Sequence, residues 1–140
     1  MGYRFLSHTA DVAFEATAAT LDELFAEALA AFTDTLTDPE GVKERLSRTF
    51  ELRAPALDLL FVVWLEELLY AFEIDGHLFR RAETRIEQEA QGYRLTAEAW
   101  GEVRDEERHG LKVLIKAVTY HGLEVTETPE GWRGRVIFDI

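Results

Sequence analysis

Apolar residues recur at helical spacing in two stretches of the chain, and the first stretch follows Thr20-Leu21-Asp22-Glu23. The Thr20 hydroxyl and the Glu23 carboxylate of this tetrapeptide can satisfy the first unpaired amides of a helix. Apolar positions three and four residues apart then continue to about Leu36, before Thr37-Asp38-Pro39-Glu40-Gly41 interrupts the pattern. The pattern predicts an amphipathic helix between these two signals.

The second apolar stretch is the longest in the chain, and it opens with Pro55, a residue that suits the first turn of a helix. Its apolar positions form a continuous helical stripe from Leu57 to Phe72, while Glu66 and Glu67 mark a solvated edge. An aromatic stripe at this spacing indicates packing. We therefore predict a second helix that fills most of the core and carries no chemistry.

Shorter apolar runs and alternating patterns predict strands before, between and after the helices. They cover residues 3–6, 12–17, 45–53, 78–90, 93–103, 113–125 and 136–140. Asp75-Gly76 and Gln91-Gly92 provide turns of the kind that join antiparallel strands. The chain is therefore predicted to form a single α+β domain over residues 1–140, in which two amphipathic helices pack on one face of a mostly antiparallel sheet in two layers.

The net charge and the absence of cysteine narrow the classes of function that this protein can have. With 15 Lys and Arg residues against 27 Asp and Glu, the net charge of −12 disfavours direct nucleic-acid binding and favours a basic protein partner or a cation. The absence of cysteine excludes disulfides, thiolate metal sites and cysteine nucleophiles. We expect a cytoplasmic protein without a membrane span, because there is no apolar signal-peptide core and no sufficiently long apolar window. A low content of heat-labile residues suits a thermophilic source.

The first chemically distinctive stretch is Ser7-His8-Thr9-Ala10-Asp11, which lies between the first two predicted strands. An imidazole and a carboxylate three residues apart at a turn can face one concavity. Ser, Thr and Asp are also ordinary turn residues that hydrogen-bond to nearby backbone amides. On this stretch alone the turn interpretation is the stronger one, and His8 and Asp11 are candidates for chemistry beside it.

The C-terminal strand supplies the second candidate. Asp139 is its penultimate residue, and the terminal carboxylate of Ile140 follows one residue later. If this strand pairs beside the first hairpin, both groups could join Asp11, and clustered carboxylates repel one another unless a cation or a proton relieves them. The alternative is a frayed, solvated terminus. A strand that is apolar up to its last residue argues instead that the end is held in place.

Lys116 and His121 each have both an ordinary and a functional interpretation. Lys116 interrupts the apolar run 113–118, where it can reach solvent or can meet the Asp11 and Asp139 carboxylates or a nucleotide phosphate of a partner. His121 could be a ligand or a strand-end residue, and the second interpretation is the stronger one. His109 is interpreted as a loop histidine in the charged, solvent-exposed segment 104–110. There is no Ser-His-Asp motif, phosphate-cradling Gly-rich loop or HExxH motif, so the residues alone do not define a complete active site.

Four segments together resemble the archease family, in its order and at its spacing, over essentially the whole chain. They are His8-Thr9-Ala10-Asp11-Val12, Trp64-Leu65-Glu66-Glu67-Leu68-Leu69-Tyr70, Ile115-Lys116-Ala117-Val118-Thr119-Tyr120-His121 and Val136-Ile137-Phe138-Asp139-Ile140. The resemblance implies a two-layer α+β fold and an accessory protein rather than an enzyme. Archeases activate the tRNA-splicing RNA ligase, which joins a 2',3'-cyclic phosphate or 3'-phosphate end to a 5'-hydroxyl end. They promote guanylylation of that ligase by GTP and support its multiple turnover.

The resemblance also implies site residues. The functional acidic residues of the family match Asp11 and Asp139, its lysine matches Lys116, and the terminal carboxylate of Ile140 fits its metal site. His8 lies within the shared motif, and His121 stands where some members carry serine. Oxygen ligands of this kind suit Mg²⁺, Ca²⁺ or Mn²⁺ better than Zn²⁺.

Two other functions stay open at this point. A metal-dependent phosphoester hydrolase could use Asp11, Asp139 and His8 to hold a cation and activate water. A chaperone-like modulator of an RNA-modifying enzyme would need no metal chemistry of its own.

Overall fold

The computed structural model describes residues 1–6 and 11–140, which form seven strands, two α-helices and one short 3-10 helix. In chain order the elements are β1 (Gly2–Leu6), β2 (Asp11–Ala18), α1 (Leu21–Leu36), the 3-10 helix (Pro39–Gly41), β3 (Leu46–Ala54), α2 (Leu57–Asp75), β4 (His77–Glu89), β5 (Gly92–Val103), β6 (Ala117–Thr128) and β7 (Gly131–Asp139). Neither described helix is both long enough and apolar enough to cross a membrane.

The strands divide into two antiparallel sheets. One has the order β1-β2-β7-β6, and the other has the order β3-β5-β4. The predicted α+β class is confirmed, but the strands form two sheets where the sequence pattern was interpreted as one. Alternation shows which face of a strand is buried and not which neighbour it pairs with, so the division could not be derived from the pattern.

Helix α1 begins and ends where the sequence predicts. The Thr20 hydroxyl accepts a hydrogen bond from the Glu23 amide at 3.2 Å, which satisfies one of the first unpaired donors. The helix starts directly after β2, packs back against that strand, and near its end places the Phe32 ring edge-on to Phe138 of β7, 5.9 Å away. The C-terminal end of α1 therefore lies at the same end of the sheet as Asp11 and Asp139.

Helix α2 is buried on most of its circumference and packs against strands of both sheets. Trp64 is fully buried, and its indole N–H donates to the Phe25 carbonyl of α1 at 2.9 Å, so the two helices are joined inside one core. Ala56 occupies the N-cap position without a side-chain hydrogen bond, and the C-cap after Asp75 is Gly76, whose φ of 69° is the left-handed conformation favoured by glycine. Pro55 thus lies before the cap and not in the first turn, which corrects the sequence prediction.

The segment before β6 departs from the prediction of a strand over residues 113–118. Residues 111–116 form no strand, and β6 begins only at Ala117. The Lys112 amide donates instead to the Leu36 carbonyl of α1 at 2.8 Å, so helix α1, and not a neighbouring strand, satisfies this backbone group. Within β6 the register shifts between Thr119 and Glu124. His121 lies exposed in that irregular stretch inside the strand, which corrects its interpretation as a strand-end residue.

Candidate functional site

Asp11 and Asp139 are directly opposite one another at one end of the four-stranded sheet. Asp11 opens β2, Asp139 closes β7, and the two are cross-strand partners in the antiparallel register. Phe138, the neighbour of Asp139, is buried in the core, as are Phe14 and Ala16 of β2, so strand alternation turns both aspartates to the opposite face. Directly opposite side chains in such a pair have Cβ atoms about 4.5–5.5 Å apart. The pairing on which the sequence argument depended is therefore present.

Ile140 is the residue next to Asp139 at this end of the sheet. It follows the last strand residue, and its partly buried side chain packs against the core. Its position agrees with the prediction that a carboxylate of Ile140 joins Asp11 and Asp139. We call this end of the protein the acidic tip (Asp11, Asp139 and the predicted carboxylate of Ile140). Like charges directly opposite one another destabilise a sheet, and we expect a bound cation to offset that repulsion.

The chemistry of the acidic tip fits a hard divalent cation, because all of its donors are carboxylate oxygens. Its side chains alone do not complete a site. Over residues 1–6 and 11–140, no group of three or more His, Cys, Asp or Glu side chains is placed to hold a metal ion. The metal assignment of Asp11, Asp139 and Ile140 stays a prediction.

Lys116 lies on the other side of Asp139. Strand β7 runs between β2 and β6, and the Lys116 amide donates to the Asp139 carbonyl at 2.7 Å while its side chain is exposed. Asp139 is therefore flanked by Asp11 on one strand and by the backbone of Lys116 on the other. The structure brings together four of the five residues singled out from the sequence, and the fifth, His8, lies outside the described residues.

The segment from Arg104 to Lys116, which we call the strap, joins β5 to β6 without helix or strand. It is anchored at its start by Glu102, a carboxylate only 3% exposed at the end of β5. Glu102 accepts hydrogen bonds from the Arg108 guanidinium at 2.6 Å and from the Lys43 amide at 2.6 Å. Burial raises the pKa of Glu102, but the hydrogen bonds outweigh it and hold the pKa at about 2. This anchor is therefore charged at neutral pH.

His109 completes this anchor, and its placement corrects the sequence prediction of an exposed loop histidine. Its side chain is fully buried. The Asp105 amide donates to its Nδ1 at 2.8 Å, which assigns the ring proton to Nε2, and Nε2 donates to Glu102 at 3.0 Å. The pattern of charged residues around 104–110 gave no signal for this burial, because the partner Glu102 belongs to the preceding strand.

A concavity at the other sheet does not coincide with the acidic tip. It has a volume of about 540 Å³ and is lined by Arg53, Ala54, Pro55, Glu89, Ala90, Gln91 and Tyr93. These residues belong to the three-stranded sheet and to the connections at its end, whereas the tip belongs to the four-stranded sheet. The cavity therefore gives no support to a substrate pocket built around Asp11 and Asp139.

Comparison with known proteins covers nearly the whole chain. The sequence profile of the archease protein family matches residues 3–140. The chain is 40% identical over 139 residues to the protein archease of Methanosarcina barkeri, covering 99% of this chain and 95% of that protein. It is 35% identical over 134 residues to the protein archease of Pyrococcus abyssi, covering 95% and 94% of the two chains.

Solved structures resemble this fold over similar lengths. The solution structure of Methanobacterium thermoautotrophicum protein 1598 superposes with a TM-score of 0.85 at 30% identity, covering 99% of each chain. The crystal structure of a Thermotoga maritima protein, described as an archease and possible chaperone, has a TM-score of 0.62 at 19% identity and covers 96% and 94% of the two chains. The second likeness shows a shared fold.

Proposed function

Because this chain belongs to the archease family, we propose that it is an accessory protein that activates the tRNA-splicing RNA ligase. In this proposal the protein promotes guanylylation of the ligase by GTP and supports multiple turnover in joining 2',3'-cyclic phosphate or 3'-phosphate ends to 5'-hydroxyl ends. It catalyses no reaction by itself. The names of its relatives specify no catalysed reaction, which agrees with an accessory role.

The observation that supports the proposal is the pairing of Asp11 with Asp139 at one end of one sheet, with the backbone of Lys116 bonded to Asp139 and Ile140 next in the chain. These polar groups come from the two ends of the chain and from the strap, and none of them is needed to fill the core. Polar groups that converge outside a core are better explained by binding than by packing. Guanylylation requires a triphosphate and divalent cations to be brought together, and this set of charges suits both.

In the proposed complex Asp11, Asp139 and the carboxylate of Ile140 hold a divalent cation such as Mg²⁺, Ca²⁺ or Mn²⁺. The cation supplies positive charge for the phosphates of the GTP used by the ligase. Lys116 offers an exposed ammonium group at the end of the strap, where its backbone bonds to Asp139, and we propose that this group contacts a phosphate or offsets the carboxylates. The protein thus contributes oxygen ligands and one cationic side chain, and the ligase contributes the residue that is guanylylated.

The overall charge supports a protein partner. At −12 the chain repels RNA, so we propose no direct contact with nucleic acid. A ligase that binds RNA must present basic surface, and an acidic activator is attracted to such a surface at long range. The charge therefore favours fast association with the ligase.

The proposal is tested by adding this protein to the cognate ligase with GTP, a divalent cation and RNA carrying the required ends. With the ligase at a concentration well below that of the RNA, the expected result is many joined products per ligase molecule, against about one without the activator. No increase in turnover would contradict the proposal. Heat-denatured protein is the matched control.

The same set of assays separates the two other functions. Release of phosphate or alcohol from simple phosphoesters by this protein alone with Mn²⁺ would instead indicate a hydrolase. Suppression of aggregation of an RNA-modifying enzyme, with no effect on ligation, would indicate a chaperone-like role, which is the role named for the Thermotoga maritima structure.

A further inference from the structure

Asp34, in the last turns of α1, binds two other parts of the chain through its two carboxylate oxygens. Oδ2 accepts from the Tyr3 hydroxyl of β1 at 2.7 Å, and Oδ1 accepts from the Lys112 ammonium of the strap at 2.7 Å. The carboxylate is 24% exposed, so these bonds are only partly screened by water. A single side chain therefore connects strand β1, helix α1 and the strap.

Lys112 also supplies a positive charge and hydrogen-bond donors to the C-terminal end of α1. The last turn of the helix contains no basic residue, and its final carbonyls have no partner within the helix. The Lys112 ammonium donates to the Asp34 carbonyl at 3.0 Å, and the Lys112 amide donates to the Leu36 carbonyl at 2.8 Å. A positive charge at the C-terminal end of a helix is favourable. The strap is thus docked on the helix end by three hydrogen bonds from one residue.

The ionisation of the pair agrees with this geometry. Burial raises the pKa of Tyr3, and the hydrogen bond to Asp34 raises it further, so the hydroxyl remains a donor at neutral pH. Burial also raises the pKa of Asp34, but the hydrogen bonds from Lys112 and Tyr3 outweigh it and lower the pKa below its ordinary value. Asp34 is therefore a charged acceptor for both the Tyr3 hydroxyl and the Lys112 ammonium group.

Lys112 and Tyr3, the two residues that bond to the Asp34 carboxylate, belong to segments that continue towards the acidic tip or pair with a strand that reaches it. Lys112 precedes Lys116 by four residues, and between them Ile115 is buried in the core. The Lys116 amide then donates to the Asp139 carbonyl. Tyr3 of β1 is the cross-strand partner of Ala16 in β2, five residues along the strand that Asp11 opens. The strap, which reaches Asp139, and strand β1, which pairs with the strand of Asp11, are thus linked to the same carboxylate on α1.

We propose that Asp34 is a positioning residue for the acidic tip: it ties β1 and the strap to the end of α1 and, through Lys112, holds Lys116 beside Asp139. The expected ordering of the backbone of β1 and of the strap follows from the contacts of Asp34 with Tyr3 and Lys112 alone. The effect on ligase activation rests on the proposed function.

Backbone hydrogen exchange tests the contacts of Asp34 with Tyr3 and Lys112, which we call the Asp34 tie, in the absence of any ligase. Losing a hydrogen bond to a charged group speeds local opening by about tenfold or more. We expect Lys112→Met to raise the amide exchange rate by that factor over residues 111–118 only. Tyr3→Phe should raise the rate over residues 2–6 only. Asp34→Asn should raise it in both segments. Residues 92–103 of β5 serve as the internal reference, and Lys112→Arg should restore much of the protection.

Lys43→Met is the matched control, since Lys43 uses its backbone and not its ammonium group in the contacts of the described residues. It should leave exchange over residues 111–118 unchanged. If Lys112→Met has no more effect there than Lys43→Met, or if Asp34→Asn loosens only one segment, the proposal is wrong. Lys112 is about half exposed, so its variant should fold even if Asp34→Asn does not.

Activation assays complete the test. The Lys112→Met protein should activate the ligase several-fold less than the parent, and Lys112→Arg should recover most of that loss, which a general loss of stability would not explain. If the exchange pattern appears but the parent does not activate any ligase, the proposed function fails and the tie stands. If the parent activates but the exchange pattern is absent, the tie fails and the function stands.

Discussion

Replacing Glu102 with Gln should cost the protein a large part of its stability, because every neighbour of this carboxylate is a donor. One oxygen accepts from Arg108, and the other accepts from the Lys43 amide and from Nε2 of His109. The amide group introduced by Glu102→Gln has two N–H donors of its own, and in either orientation they face another donor. The substitution also removes the negative charge that Arg108 pairs with.

The expected cost can be worked from these contacts. Removing one partner of a buried ion pair costs about 3–5 kcal/mol. We expect the lower end, about 3 kcal/mol, because the Arg108 side chain is 36% exposed and can be rehydrated. With a urea m value of roughly 2 kcal/mol per molar, the midpoint of unfolding should fall by about 1.5 M.

Urea unfolding followed by circular dichroism measures this directly, with Glu98→Gln as the control. Glu98 lies on the same strand, on the outer face and outside this buried network, so its variant should stay within about 0.5 kcal/mol of the parent. Because the pKa of Glu102 is lowered in the folded state, its contribution is present above the ordinary value of 4.5 and is lost as pH falls towards about 2. The gap between parent and Glu102→Gln should therefore narrow in that range. Equal midpoints for the two variants at pH 7 would refute the reasoning.

Three other predictions follow from the structure. Gly134→Ala should destabilise by about 1–3 kcal/mol in urea, because its Cβ would lie 2.8 Å from Cζ of Phe61, while Gly2→Ala, with nothing within 4 Å, should be neutral. Raising salt should slow association with the ligase far more than it speeds dissociation in a stopped-flow or surface-binding experiment, and salt-independent association would remove the steering argument. A short neutral extension beyond Ile140 should weaken binding of Mn²⁺ in calorimetry, and unchanged binding would exclude the terminal carboxylate as a ligand.

Periodicity was sufficient to predict the helices and the ends of most strands. The capping residues Thr20 and Glu23 lie where the sequence places them, and the stripe from Leu57 onward forms the buried side of α2. Such features are local, because a helix or a strand must present its apolar residues to one side whatever it packs against. The fold class and the apolar faces are therefore readable from the chain alone.

The features that the sequence did not reveal depend on partners far along the chain. The run 113–118 is apolar enough for a strand, but the Lys112 amide bonds to the end of α1, and of residues 113–116, which form no strand, Ile115 is the one in the core. His109 lies in a charged segment, yet it is buried against Glu102. For the acidic tip the sequence showed which carboxylates were available, and the register of β2 with β7 was needed to place Asp11 opposite Asp139.

The central claim is that the acidic tip helps the ligase to become guanylylated, and the rate of that step is its most direct test. Transfer of labelled GMP to the ligase should be accelerated by the parent protein in the presence of a divalent cation. Asp139→Asn should lose roughly 100-fold of the acceleration, which is the scale of removing one charge-stabilising group from a site. Glu130→Gln, an exposed carboxylate in the turn at the opposite end of the same hairpin, should keep it. A folded Asp139→Asn protein that accelerates guanylylation as well as the parent does would contradict the account.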